Sequence, residues 1–377
     1  MANRIENPFV ISGYVSPEYF CNRMEETQDI IETLKNGQNV ILTSFRRMGK
    51  TGLIHHVFHT MQESDKAICI YIDLFPTLSL SDFTHVFASA VLGQMDSTPM
   101  KILKQASSLL KGLRPTISMD DLTGTPRIGI DFTPGEEEYT LERIFEYLRI
   151  SGKTCYIALD EFQQIASYPE KNVEALLRAN IQRNHNARFI FSGSQVHMLT
   201  EMFLSPKRPF YQSAAHKVID AIEEDVYYAF AAHHMKAGGG IMDQETFHFL
   251  YEKFEGHTWY VQKVLNHLYR KKKKQTDTQL VSEAVKEILA DNEYYYQMLL
   301  RAYTKGQVKL LKAIAMEGKV REITSGTFIS RYGLSATSSV KGALKRLLED
   351  ELVCPDLKGY MVYDKFFNEW LTLTFQR

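Results

Sequence analysis

Apolar runs alternate with segments of helical periodicity through the first 223 residues of the chain. Five apolar runs have the length of β-strands and lie at residues 39–43, 67–74, 155–160, 187–192 and 217–222. Strands that alternate with helices form a parallel sheet with helices packed on both faces. Right-handed crossovers bring the loops after such strands to one edge of the sheet, where ligands bind. The pattern therefore predicts an α/β domain in which the loops after Thr43 and Leu159 share an edge.

The chain changes character after residue 223, because helical patterns replace the strands. A second change comes near residue 304, where two short helices are predicted before a third. The third helix has an apolar stripe along one face, at positions 340, 343, 344, 347 and 348. A hairpin around Pro355-Asp-Leu-Lys-Gly359 follows it, so this part has the pattern of a winged helix-turn-helix. The predicted domains are a nucleotide-binding domain over 1–223, a helical lid over 224–303 and a winged helix over 304–377.

A separate hairpin is predicted between residues 113 and 139. Two short segments with β-strand character flank Asp120-Asp-Leu-Thr-Gly-Thr-Pro126, whose composition is typical of a turn. The sequence gives this hairpin no chemical role.

A loop of eight residues, Ser44-Phe-Arg-Arg-Met-Gly-Lys-Thr51, follows the first apolar run and precedes a helical pattern. A helix N-terminus has unpaired backbone N–H groups and partial positive charge, so such a loop can surround a polyphosphate with amide donors. Gly49 would allow close backbone approach, Lys50 would reach the β- and γ-phosphates, and the Thr51 hydroxyl would bind Mg²⁺. The full phosphate-loop pattern has glycine where this chain has Ser44. The predicted nucleotide-binding residues are Ser44, Arg46, Arg47, Met48, Gly49, Lys50, Thr51, Gly52 and Asp160.

Two adjacent carboxylates follow the apolar run in Cys155-Tyr-Ile-Ala-Leu-Asp-Glu-Phe162. A buried parallel strand would place them at the carboxyl edge of the sheet. Asp160 would hold Mg²⁺, directly or through water, together with Thr51. Glu161 would orient and deprotonate an attacking water, which suits the pair to hydrolysis. The alternative is an acidic N-cap of the helix that follows a core strand.

Composition and charge exclude several classes of protein. The chain has 377 residues, which is more than a domain with one hydrophobic core usually contains, so two or three domains are expected. Its formal net charge of −1 gives no overall attraction to nucleic acid or anionic membranes. The four cysteines are far apart in the sequence, so neither a zinc site nor a disulfide framework is indicated. The N-terminus lacks the layout of a signal peptide, and no apolar stretch approaches the ~20 residues of a membrane-spanning helix. We expect a cytoplasmic protein that does not bind membranes.

Four segments together resemble a known family. They are Phe20…Arg23…Glu26, Ser44-Phe-Arg-Arg-Met-Gly-Lys-Thr51, Leu159-Asp-Glu-Phe162 and Phe191-Ser-Gly-Ser-Gln195. The chain resembles the archaeal-type ATPases of the AAA+ class, close to the STAND signalling NTPases, which occur in archaea and in Bacteroidetes-like bacteria. The resemblance runs from about residue 7 to the C-terminus. It implies a P-loop AAA+ fold, ATP or ADP with Mg²⁺ as ligands, a protein partner, and the capacity to form oligomers.

The resemblance also implies a role for Ser194. This residue matches the family's first sensor, a polar side chain between the acidic strand and the γ-phosphate, where it would help to order the water that Glu161 activates. The alternative is that Ser194 caps a helix beginning near Val196, because serine favours N-cap positions. The predicted catalytic residues are thus Glu161, Lys50 and Ser194.

The chain departs from the family pattern in the segment Pro209-Phe-Tyr-Gln-Ser213. The family usually has Tyr-Gly-Arg there, and Ser213 stands in the position of the arginine. Since an arginine finger contributes orders of magnitude to the rate, its replacement favours slow turnover or a nucleotide-held switch. Lys207 and Arg208 lie nearby and would have to act in its place, although solvated surface charge is the simpler interpretation.

The winged helix adds a possible partner. Residues 304–377 contain 12 Lys or Arg and 8 Asp or Glu, an excess of 4 (12 − 8), and Lys341, Lys345 and Arg346 lie off the apolar stripe of the third helix. This arrangement permits DNA to dock against that helix. Two hypotheses follow from the sequence: a Mg²⁺-dependent ATPase that couples nucleotide state to movement of the lid and winged helix, and a nucleotide-regulated DNA- or protein-binding switch with little turnover.

Overall fold

The computed structural model of the chain describes residues 5–95, 114–119, 126–356 and 359–375. These residues form two compact units, one comprising Val10–Tyr227 and the other Ile5–Phe9 with the chain from Tyr228 onward. No helix in the described ranges is long and apolar enough to cross a membrane. The domain boundaries expected at residues 223 and 303 remain predictions.

The first unit contains strands and helices in alternation. Its strands are β1 (Val40–Thr43), β2 (Ile68–Asp73), β3 (Arg114–Met119), β4 (Pro126–Asp131), β5 (Cys155–Asp160), β6 (Ala187–Gly193) and β7 (Ala215–Val218). Its α-helices are α1 (Met24–Lys35), α2 (Lys50–Asp65), α3 (Leu80–Met95), α4 (Glu137–Ile150), α5 (Val173–Arg183) and α6 (Val196–Leu204). Short 3₁₀ helices occupy Pro17–Tyr19 and Phe162–Ser167.

Five strands form one parallel sheet in the order β2-β5-β6-β1-β7. The predicted α/β sheet is therefore confirmed. Strand β6 lies between β1 and β5, with Thr43 beside Gly193 and Leu159 beside Phe191. The loops that follow β1, β5 and β6 consequently leave the sheet at the same edge.

The last strand of the sheet lies earlier than the sequence suggested. The apolar pattern placed it at 217–222, whereas β7 is Ala215–Val218. The buried residues Ile219 and Ile222 come after the strand has ended. Strand β7 is at the edge of the sheet and is only partly covered, so burial along the chain does not mark its limits.

Burial explains why the central strands are continuous apolar runs. All six residues of β5 are buried. On one face of the sheet, Phe189 and Phe191 of β6 belong to a large core cluster that also contains Phe87 and Phe145 from the covering helices. The opposite face packs against α1 and α2 through residues such as Ile30, Leu53 and Val57. A parallel sheet covered on both faces requires apolar side chains at successive positions.

The predicted hairpin between residues 113 and 139 is present as the antiparallel pair of β3 and β4, with Arg114 opposite Asp131 and Met119 opposite Pro126. Its turn, residues 120–125, lies outside the described residues.

The second unit is mainly helical. Its first part contains α7 (Glu224–Ala237), whose first turn belongs to the first unit, α8 (Gln244–Lys253), α9 (Thr258–Arg270) and α10 (Thr278–Arg301), with the short strands β8 (Ile241–Met242) and β9 (Gln275–Thr276). Asp243 and Asp277 are the N-caps of α8 and α10, and each side chain accepts a backbone N–H of the first turn. The N-terminal segment packs into this unit, because the side-chain amide of Asn266 donates to the Phe9 carbonyl at 2.7 Å.

The C-terminal part of the second unit is a winged helix, as predicted. It contains α11 (Lys305–Glu317), α12 (Gly326–Arg331), α13 (Thr337–Glu349), the antiparallel pair β10 (Val353–Asp356) and β11 (Gly359–Val362), and α14 (Lys365–Phe375). A capping box between Thr304 and Gln307 begins α11. Val340, Leu344 and Leu347 form the buried stripe of α13.

Candidate nucleotide site

The phosphate loop has the backbone of an anion cradle. Strand β1 ends at Thr43 and helix α2 begins at Lys50, with Gly49 as its N-cap at φ 95°. This left-handed conformation is open to glycine at little cost, and Arg47 adopts φ 69° two residues earlier. The first turn of α2 therefore follows a sharply bent loop, where unpaired backbone N–H groups and the helix dipole favour an anion.

Lys50 is held within the loop. Its side chain is 7% exposed, and Nζ donates to the Ser44 carbonyl and to Ser44 Oγ, both at 3.1 Å. A weaker contact of 3.4 Å joins Nζ to the Phe45 carbonyl. These acceptors are uncharged, and burial lowers the pKa of Lys50 to about 8, against an opposing effect of Asp160. A buried ammonium whose hydrogen-bond partners are neutral oxygens is chemically suited to an anionic ligand.

Asp160 is the centre of a hydrogen-bond network at the end of β5. Oδ2 accepts from Thr51 Oγ1 at 2.8 Å and from the Tyr71 hydroxyl at 2.7 Å. Oδ1 accepts from Ser192 Oγ at 2.6 Å and from the Glu161 backbone N–H at 3.1 Å. The side chain is 5% exposed, so these donors replace water around a buried carboxylate. The two predicted metal ligands, Thr51 and Asp160, thus lie in direct contact.

Glu161 and Ser194 are also brought together. Glu161 Oε2 accepts from Ser194 Oγ at 2.9 Å and from the Ser194 backbone N–H at 3.1 Å. Glu161 has φ 53°, a conformation unusual for a residue with a side chain and common at functional sites. Gln195, and not Ser194, is the N-cap of α6. Glu161 does occupy the N-cap position of the 3₁₀ helix, as the alternative interpretation had it, but its side chain makes no capping bond.

The remaining predicted binding residues line the loop. Arg46 and Arg47 are exposed, whereas Met48 is 5% exposed. Gly52 lies against Phe20, because a Cβ at this position would be 3.2 Å from the Phe20 ring. A larger residue at position 52 would therefore need the Phe20 ring to shift slightly.

Three residues that support the site were assigned no role from the sequence. Tyr71 and Ser192 donate to Asp160 from the neighbouring strands β2 and β6. Arg23 is 4% exposed and donates to the Met48 carbonyl at 3.2 Å and to Glu26 at 2.7 Å, which ties the turn before α1 to the phosphate loop. Arg23, Glu26 and Ser192 lie in segments that resemble the family, but the sequence did not indicate which contacts these residues make.

The segment with the missing arginine is fixed by local bonds. Ser213 Oγ donates to the Phe210 carbonyl at 2.7 Å. Arg208 forms an ion pair with Glu174 at 2.6 Å and a longer one with Glu201 at 3.9 Å, while Lys207 is exposed. Arg208 is thus engaged within its own unit, which favours a structural role for it.

Oxygen ligands and a buried cation together fit a magnesium nucleotide. Mg²⁺ prefers carboxylate and hydroxyl oxygens with several waters, and Thr51 and Asp160 supply oxygens of these kinds side by side. Lys50 and the N–H groups at the start of α2 supply the positive counterpart of a polyphosphate. The donor set suits this group chemically.

Comparisons with known proteins extend these observations. A family model described as "Probable winged helix domain" matches residues 294–373. No curated protein matches the sequence. Among solved structures, the Walker-type ATPase PABY2304 of Pyrococcus abyssi is 17% identical with a TM-score of 0.65, over 97% of this chain and 99% of that one.

Two proteins of Aeropyrum pernix are also similar. The ORC2 protein, solved in ADPNP-ADP complexes, is 15% identical with a TM-score of 0.56, over 98% of each chain. The ORC1 protein, solved in complex with DNA, is 15% identical with a TM-score of 0.53, over 98% of this chain and 97% of that one. The chain therefore has the fold of the archaeal-type AAA+ ATPases, with a winged helix at its C-terminus.

Proposed function

We propose that the protein binds ATP and ADP and is a Mg²⁺-dependent ATPase. The observation that supports this most directly is the contact between Thr51 and Asp160 at 2.8 Å, beside the buried amino group of Lys50. A hydroxyl and a carboxylate in contact at the mouth of a phosphate loop are the oxygens that a nucleotide-bound Mg²⁺ requires. The function rests on residues from two different strand ends that the sheet brings together.

Each proposed residue has a distinct task. Lys50 and the backbone N–H groups of the loop bind the β- and γ-phosphates, and Thr51 and Asp160 bind Mg²⁺. When bound, Mg²⁺ neutralises charge that develops on the phosphate oxygens. Glu161 orients the attacking water and accepts its proton, and Ser194 helps to fix both the water and the Glu161 carboxylate.

The nucleotide state would act on other parts of the chain. We infer that the helical segment over 224–303 serves as a lid and that its movement, with that of the winged helix, grips or releases a protein partner. Oligomer formation and a cytoplasmic location are part of the same proposal, by analogy with the family's fold. Since Ser213 replaces the usual arginine, turnover without a partner should be slow.

The test is hydrolysis by the unmodified protein. We expect release of phosphate from ATP that requires Mg²⁺ and stops with EDTA, together with binding of both ATP and ADP measured by calorimetry. ATP binding without phosphate release would favour a nucleotide-held switch. Absence of any nucleotide binding would refute the proposal.

A second candidate function, DNA binding through the winged helix, is supported by the exposed face of α13. The side chain of Lys345 is 79% exposed and that of Arg346 is 58% exposed, opposite the buried residues Val340, Leu344 and Leu347. Lys341 is exposed on the same helix. Such cations can contact phosphates without fixing a base sequence.

We expect the variant Lys341→Ala/Lys345→Ala/Arg346→Ala to bind duplex DNA more weakly than the unmodified protein. Because each lost phosphate contact removes about 0.9 from the slope of log K against log salt concentration, its slope should also be shallower. Fluorescence anisotropy between 50 and 200 mM salt would measure both. The control Arg270→Ala/Lys272→Ala/Lys273→Ala removes the same charge elsewhere in the second unit. An equal loss of DNA affinity in the control would mean that net charge, and not the face of α13, determines binding.

A further inference from the structure

We propose that Gln163 is a positioning residue that fixes the orientation of the Glu161 carboxylate for hydrolysis. The inference rests on the proposed ATPase function and assigns a task to a residue outside the phosphate loop and the acidic pair. Gln163 lies two residues after Glu161, in the short 3₁₀ helix Phe162–Ser167.

The first observation is the hydrogen bond itself. Gln163 Nε2 donates to Glu161 Oε2 at 2.5 Å, the same oxygen that accepts from the Ser194 backbone N–H and hydroxyl. In the part of the chain that the structure describes, Glu161 Oε1 accepts no hydrogen bond. One oxygen is therefore anchored by three donors, and the other remains to accept a proton.

The second observation is the opposite end of the same amide. Gln163 is 7% exposed, and its Oε1 is buried without a hydrogen-bond partner among the described residues. Leaving a buried carbonyl oxygen unpaired costs free energy, and such groups are rare in native proteins. A leucine or methionine would avoid this cost, so the polar side chain is better explained by what its NH₂ group does for Glu161.

The third observation is the space made for the amide. A Cβ built on Gly193 would lie 1.9 Å from Gln163 Oε1 and 3.0 Å from Gln163 Cδ. Gly193 is the last residue of β6 and does not have a positive φ. A side chain at this position would therefore displace the Gln163 amide, and residue 194, which follows it, binds the same carboxylate.

These contacts form one assembly from two strand ends. The segment that follows β5 supplies Glu161 and Gln163, and the last residue of β6 and the residue after it are Gly193 and Ser194. A general base is effective only when it lies within hydrogen-bond reach of the proton that it takes. Fixing Glu161 Oε2 through three donors restricts the rotations that would carry Oε1 away from that position.

The experiment compares Gln163→Met with the control Gln164→Met. Gln164 lies in the same short helix and its amide donates to the Thr77 carbonyl at 3.0 Å, so the control also loses one side-chain hydrogen bond. We expect Gln163→Met to lower kcat for ATP about tenfold with unchanged ATP affinity and melting temperature, a part of the 10²–10⁴ that a general base supplies. Gln164→Met should retain the kcat of the unmodified protein.

Two further variants separate positioning from a structural role. Gly193→Ala, which displaces the amide, should lower kcat as Gln163→Met does. In the background of Glu161→Gln, Gln163→Met should cause no further loss, because the group that it positions has gone. An unchanged or increased kcat in Gln163→Met would overturn the inference, and so would an equal loss in Gln164→Met.

The proposed function and this inference fail in different ways. Hydrolysis by the unmodified protein with an unchanged rate in Gln163→Met would retain the function and overturn the inference. Absence of hydrolysis in the unmodified protein would reject the function, and the inference would then be decided by crystal structures of both proteins. We expect the Glu161 carboxylate of Gln163→Met to occupy more than one orientation, and a single unchanged orientation would overturn the inference.

Discussion

Replacing Lys50 with alanine is expected to weaken ATP binding by a factor of about 100 or more. Lys50 is buried, its hydrogen-bond partners are the neutral oxygens of Ser44 and Phe45, and it lies at the first position of α2. Hydrogen bonds to charged groups contribute about 1.5–3 kcal/mol each, and an ammonium in contact with two phosphates makes more than one. Calorimetric titration with Mg²⁺ and ATP would measure the loss.

The control for this change is Lys66→Ala, at the opposite end of the same helix. Lys66 is the C-cap of α2 and is exposed, so its removal changes the net charge by the same amount without touching the loop. We expect Lys66→Ala to bind ATP like the unmodified protein. If both variants bound ATP equally well, the loop would not be the nucleotide site.

The same lysine predicts a pH dependence of ATP binding. Burial lowers the Lys50 pKa to about 8 in the nucleotide-free protein, so above this pH the amine is increasingly neutral. Bound phosphates favour the charged form and raise this pKa, so binding above pH 8 takes up a proton and ATP affinity falls as pH rises. Titrations at pH 7 and pH 9, in buffers of different ionisation enthalpy, would detect the uptake. Equal proton uptake in Lys50→Ala would assign it to another group.

The sheet and the phosphate loop could be predicted because their signals are local. A run of apolar residues that ends at Thr43, followed by a loop and a helix that begins at Lys50, indicates both the strand and the bent loop between them. Similarly, six buried residues in β5 appear in the sequence as one apolar run ending in Asp160. Complete burial on both faces makes such strands easy to recognise.

The hydrogen-bond donors to Asp160 were harder to predict, because they lie on the neighbouring strands of the sheet. Tyr71 lies 89 positions before Asp160, and its hydroxyl reaches the carboxylate only because β2 and β5 are neighbours in register. Ser192 reaches it from β6, 32 positions away. Within β2, Tyr71 is one member of an apolar strand, and nothing in its own neighbourhood distinguishes a hydroxyl that binds a carboxylate from one that reaches solvent.

Strand β7 was poorly predicted for a different reason. Strand β7 alternates partly covered and exposed residues, whereas the buried pair Ile219 and Ile222 lies beyond it. An apolar pattern indicates which residues are buried. At β7 the residues that pair with the neighbouring strand are not the buried ones, so the pattern misplaces the strand. The partner of the Ser194 hydroxyl could not be predicted either, because its hydrogen bond to Glu161 joins the ends of two different strands, and the sensing role stays a prediction.

Replacing Glu161 with glutamine is expected to lower ATP hydrolysis by a factor of about 10²–10⁴, the usual contribution of a general base. Nucleotide binding should persist, since Glu161 bonds to Gln163 and Ser194 rather than to the phosphate loop. A glutamine oxygen can still accept those hydrogen bonds but cannot take a proton from water. Phosphate release would be measured beside ATP affinity, with and without Mg²⁺.

The matched control is Glu170→Gln, because Glu170 accepts a hydrogen bond from the Leu80 backbone N–H, a bond that glutamine can also accept. It should hydrolyse ATP like the unmodified protein. Hydrolysis that persists in Glu161→Gln would exclude Glu161 as the base, and loss of ATP binding would mean that the change has damaged the site. Because Ser213 replaces the usual arginine, the unmodified rate itself should be low, so a partner that supplies an arginine should raise it in the unmodified protein and leave Glu161→Gln inactive.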